Sequence, residues 1–153
     1  MSRRDTGVVI VHAVPTIGLF LQGVLYIVTP RFMPYHADAL GVTWEALPSH
    51  YQGFLLGVIK AMGAGSIAVT LALMLLLWIP FRRGERWARW AVPVVGMTFT
   101  TLTAYAAYTI DINTPASTPW RQTCLLAMLY LAGGLASYWP VQGGRTRRGP
   151  SHA

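Results

Sequence analysis

The sequence predicts an all-α protein: a bundle of four transmembrane helices running up-down-up-down, with a longer extracytoplasmic loop after the first. Three observations lead there. Hydrophobic residues make up 54% of the 153-residue chain and charged residues 11%, against roughly 25% charged in a soluble domain. Four apolar runs, at 8–29, 51–79, 87–110 and 120–140, each hold 21 to 29 residues, and about 20 residues of helix cross a hydrocarbon core of roughly 30 Å. The formal charge of +7 comes from basic residues gathered between those runs, which is not the basic face of a nucleic-acid binder. Backbone groups in lipid find no water, so the runs are read as helices and not strands.

The first run follows Arg3 and Arg4 but exceeds the usual h-region of a signal peptide. No A-x-A site closes it, since the chain reads Tyr26, Ile27, Val28, Thr29, Pro30, so it is expected to be retained. Ser2, Arg3 and Arg4 open like a twin-arginine signal, from which Asp5 and Thr6 depart. His12, near Thr16 and about one turn in from the cytoplasmic end, reads as a polar contact between helices. The loop at 30–50 contains Met33, Tyr35, His36, Asp38, Trp44, Glu45 and His50. It is longer than a linker requires, and a short interfacial helix near 38–47 is expected in it.

The second run holds Lys60, the single lysine, at the outer edge of the hydrocarbon and within snorkelling reach of water. At about 100° per residue it shares an arc of roughly 140° with Gly53, Gly57, Ala61, Ala64 and Gly65. Small residues four apart let membrane helices approach closely. The face of Gly53, Gly57, Ala61 and Gly65 is therefore the expected contact surface, toward another helix of the bundle, a homo-oligomer partner or a larger membrane complex. On the third run Thr98, Thr101, Tyr105, Tyr108 and Thr109 form a polar stripe with Asp111 at its outer end. The short links at 80–86 and 111–119 make the second, third and fourth runs sequential antiparallel neighbours.

Residues 1–140 are read as one transmembrane domain, and 141–153, rich in Gly, Arg and Pro, as a mobile basic cytoplasmic tail touching anionic lipid heads. Nine arginines (Arg3, Arg4, Arg82, Arg83, Arg86, Arg89, Arg145, Arg147, Arg148) fall on one side and two, Arg31 and Arg121, on the other. The positive-inside rule then places both termini in the cytoplasm. Trp78, Trp87, Trp90 and Trp139 gather at the inner interface and Trp44 and Trp120 at the outer one, as an aromatic belt requires.

The stretches PYHADALG, IPFRRGERWARWAVP and TPW resemble small bacterial four-helix membrane proteins in the neighbourhood of DoxX-like proteins, across most of the chain. The resemblance implies a multi-pass protein of the bacterial inner membrane and brings no catalytic residue with it.

Polar groups converge on the outer half. Lys60, Tyr105, Tyr108, Asp111, Gln22 and Tyr26 are expected at one level, with Thr101 on the same stripe and a roof containing His36, Glu45 and His50. The function this suggests is binding of a lipid-like or other apolar small molecule in an outward-facing polar cavity, with membrane lipids as partners. The alternative is an enzyme on a lipid-soluble substrate, with Lys60, a tyrosine and a carboxylate or histidine as acid and base. Cys124 is the single cysteine, so a redox pair or thiolate cluster is excluded. Met33, His36 and His50 are not spaced as a metal ligand set, and the sequence calls for no cofactor. No carboxylate lies deep in a run, and four helices without an internal repeat do not make a lone transporter.

Overall fold

Where each apolar run ends follows from its local chemistry. Pro30 cannot continue a helix and disfavours helical backbone before it. The first helix, α1 (Arg3–Val28), accordingly stops there, with the Thr29 amide donating to the Leu25 carbonyl. A seven-residue α2 (Pro34–Leu40) opens on proline at its first position, where no amide hydrogen is needed, and closes on Gly41 in the left-handed region at φ 67°. A 3-10 turn at Trp44–Ala46 leads to α3 (Ser49–Leu76). That helix widens into a π turn at Leu77–Phe81, where Pro80 lacks the amide that an α-helical ladder would use. Gly84, at φ 78°, reverses the chain into α4 (Arg86–Asn113), and α5 (Trp120–Tyr138) follows Pro119.

The structure is a computed structural model that describes residues 3–138, with side chains from Thr6 onward. The expected tail at 141–153, Trp139 and the side chains of Arg3 and Arg4 lie outside the described residues. Among the described residues every regular element is helical. Two of the helices, Thr6–Val28 and Ser49–Phe81, are long and apolar enough to cross a membrane.

The helices pack as two pairs, α1 with α3 and α4 with α5, joined chiefly through α1 and α5. The α4 to α5 link yields adjacent helices as expected. By contrast, α3 packs far less extensively on α4 than on α1, which corrects the expectation of close sequential neighbours. The reason is that the residues permitting close approach lie elsewhere. A Cβ at Gly63 would sit 2.8 Å from the Gly23 carbonyl oxygen, and one at Gly23 would sit 3.0 Å from that of Gly63, so these two glycines let α1 and α3 touch backbone to backbone. Gly57, Gly53 and Gly65 have nothing within 4 Å of a Cβ position, and Ala61 is exposed. The helix face that α3 turns to α1 is Gly63, Ser66 and Thr70; two residues on a helix is a rotation of about 200°, so Gly65 points the opposite way from Gly63.

The core has two parts. In one, Leu19, Leu73, Leu77, Phe81, Val92 and Tyr130 pack where all four long helices and the π turn meet. In the other, Tyr26, Phe32 and Ile59 are covered by the loop residues Met33, Trp44 and Leu47. The loop therefore folds down on the ends of α1 and α3, with its helix at 34–40, before the position the sequence suggested.

Candidate functional site

Lys60 is the first of the expected site residues to be placed elsewhere. Its ammonium donates to the Ile27 carbonyl at 2.6 Å. Ile27 belongs to the last turn of α1, whose final carbonyls have no partner within the helix and form the negative end of its dipole. The lysine thus caps α1 from α3 while remaining solvent-exposed. The expected pairing with Asp111, or with Glu45, is not formed. Glu45 lies 3.7 Å from Arg31 in an exposed ion pair.

Asp111 closes the turn between α4 and α5. One carboxylate oxygen accepts the Thr118 amide at 2.8 Å, and the other accepts the Trp120 indole N–H at 3.1 Å. The Thr118 amide holds this carboxyl below its ordinary range, helped by the Trp120 and Thr118 side chains and by Arg121, while desolvation acts the other way. Trp120 in turn meets Tyr108 edge-on at 5.4 Å.

Three of the expected residues, Thr101, Tyr105 and Tyr108, do come together. They line one wall of an open groove of about 600 Å³ whose other wall is Trp120, Cys124 and Met128 of α5. Asp111 fixes the Trp120 end of that groove, so it positions the site without entering it.

Gln22 and Tyr26 lie across the molecule in a smaller cavity of about 240 Å³, with Tyr35, Met33 and Gln122. The Tyr26 and Tyr35 hydroxyls are 2.7 Å apart. Burial, together with that hydrogen bond, pushes the Tyr35 hydroxyl far above its ordinary range. His36 faces the loop: its Nδ1 accepts the Met33 amide at 3.1 Å, and burial lowers its pKa. Its ring packs against that of Tyr35 at 4.2 Å between centroids, tilted by 46°. His50 is exposed against Tyr51. The ten residues are therefore distributed over a lysine cap, the Asp111 turn, the first loop, a small cavity and one groove.

Sequence reasoning passed lightly over a buried polar cluster in the half of the bundle nearer the π turn. His12 is completely buried, with Nδ1 donating to the Val8 carbonyl at 2.9 Å and Nε2 without a hydrogen-bond partner. Because a carbonyl only accepts, Nδ1 carries the hydrogen. The contact between helices that was expected of His12 is made one turn on. The Thr16 hydroxyl donates to the His12 carbonyl at 2.7 Å and so accepts from the Tyr130 hydroxyl at 2.8 Å. Gly133 makes room, since a Cβ there would lie 2.5 Å from the imidazole. The sequence signal was the pair of glycines at 133 and 134 on α5, opposite the one histidine within an apolar run.

A second groove, of about 610 Å³, runs between α1 and α3 toward the π turn, and is lined by Ala13, Thr16, Leu71 and Leu75 and ended by Trp78 and Arg82. The chain matches no protein-family model, no curated protein and no solved structure.

Proposed function

We propose that this is a multi-pass protein of the bacterial inner membrane, with four spans and both termini in the cytoplasm, that binds a lipid-like molecule in its outer half. The observation that carries the reading is the α4–α5 groove of about 600 Å³, a volume within the range of small-molecule sites. Its wall combines apolar and small side chains with Tyr105, Tyr108 and Trp120 at the outer end, the residue types that settle at a head-group boundary. The opening is lateral, so a ligand enters from the surrounding lipid.

Two further features support four spans. Leu102, Leu125, Met128 and Leu135 of α4 and α5 are each at least 60% exposed, an apolar surface that water would not favour and lipid accepts. The arginine asymmetry, nine against two, supports the orientation. The enzyme alternative lacks a reacting set, because Lys60, Asp111 and Glu45 each bond a different partner. An acid and base acting together need to reach the same substrate.

Native mass spectrometry of the detergent-extracted protein tests the reading. A retained apolar molecule is expected in the native protein and in Lys60→Met, and total retention is expected to fall in Thr101→Trp, which fills the groove from an exposed position. Undiminished retention in Thr101→Trp, or no molecule in the native protein, overturns it.

A further inference from the structure

We infer that the α1–α3 groove is a second, separate site, which takes an anionic phospholipid of the inner leaflet, with an acyl chain in the groove and the phosphate on Arg82. The inference rests on the membrane reading above but not on the α4–α5 groove.

The dimensions are those of one leaflet. From Leu71 to Arg82 along α3 and the π turn is a rise of about 16 Å, half the roughly 30 Å of a hydrocarbon core. The groove volume of about 610 Å³ suits a drug-sized or acyl-chain ligand. Its floor offers hydrocarbon contact alone. Thr16 is the one polar residue along the apolar stretch, and its hydroxyl is already engaged by the His12 carbonyl and the Tyr130 hydroxyl.

The rim carries the charge complement. The Arg82 guanidinium lies over the Trp78 ring, 4.4 Å from its centroid. The ring holds the cation by its negative face without using the guanidinium N–H groups, which can receive phosphate oxygens. Arg82 has no carboxylate partner among the described residues. The nearest acid in sequence, Glu85, accepts the Trp87 indole N–H instead. No acidic residue lines the groove. An anion is therefore the missing partner, and a tail seated between α1 and α3 places that anion at the mouth.

The full chain is reconstituted in nanodiscs of equal parts phosphatidylglycerol and phosphatidylcholine and the retained lipid is read by native mass spectrometry. Phosphatidylglycerol is expected to be enriched about fivefold, the ratio that about 1 kcal/mol for one arginine near an anionic lipid represents. Arg82→Gln and the groove-filling Ala13→Phe are each expected to remove the enrichment, while Arg83→Gln, outside the groove, keeps it. Equal loss in Arg82→Gln and Arg83→Gln means diffuse attraction to the basic face and overturns the site. So does equal retention of the two lipids, or displacement of the bound lipid by soluble glycerol phosphate, which would show a free-anion site. Thr101→Trp is expected to leave phosphatidylglycerol retention unchanged, so failure of the outer groove and failure of this site are read separately.

Discussion

At the residue scale, Lys60 and Asp111 show how a charge finds the nearest unsatisfied group of opposite polarity. Lys60 is drawn to the carbonyl end of α1, which is closer than any carboxylate. Lys60→Met is expected to cost about 0.3–1 kcal/mol, the range for a cation at an exposed helix C-terminus. Thermal melting in detergent reads this, and a loss beyond about 3 kcal/mol would mean the ammonium is buried against an acid. Asp111 has its carboxyl pKa below the ordinary 3.8, first because of the Thr118 amide. A depressed carboxyl stabilises the fold fully above the unfolded value and loses that contribution as pH falls through the folded one. The melting temperature of the native protein is expected to drop as the pH is taken below 3.8, and that of Asp111→Asn to drop less over the same interval. Parallel curves would show that the carboxylate does not clip the turn.

At the scale of the element, α2 depends on a neutral imidazole. His36 Nδ1 accepts the amide that precedes the helix, and burial lowers the pKa below 6.5. Above 6.5 the ring is neutral folded or unfolded and the contribution is intact. As the pH falls below 6.5, the unfolded loop takes up the proton first and the helix is destabilised. Hydrogen exchange over 34–41, corrected for intrinsic rate, is expected to accelerate on acidification in the native protein and to show no such step in His36→Gln. The glycines of α3 divide the same way between contact and open surface. Gly63→Leu forces a side chain into the Gly23 backbone and is expected to cost 1–3 kcal/mol or more, roughly the penalty for overpacking. Gly57→Leu meets nothing within 4 Å and should melt like the native protein. A large loss for Gly57→Leu would reveal a second copy covering that face.

At the scale of the whole molecule, the pairing of α1 with α3 and of α4 with α5 leaves an open groove beside each pair, one toward each end. On the proposed membrane reading, the arginine distribution puts these ends on opposite sides of the membrane. In a Cys124→Ser background, cysteine at Ser49 is expected to react with an impermeant reagent in intact cells and cysteine at Arg83 only after lysis. Reaction at Arg83→Cys in intact cells inverts the orientation and moves the arginine-rimmed groove to the outer leaflet.

The helical class was legible in the sequence because long runs with at most one charge each and no water-facing stripe have one low-energy backbone in an apolar medium. Helix ends were legible too, since Pro30, Pro80, Gly84 and Pro119 act through their own backbone chemistry. Thr101, Tyr105 and Tyr108 share a groove because they share one face of one helix, which spacing alone establishes. What lay across helices was decided by tertiary packing. Lys60 and the α4 stripe were expected at one level, yet Gly23 and Gly63 draw α3 to α1, and α4 is drawn to α5 where Gly96 faces the Tyr130 ring, so the lysine meets a carbonyl of α1 instead. Periodicity tells which residues share a face; only the closeness with which two backbones can approach decides which face meets which.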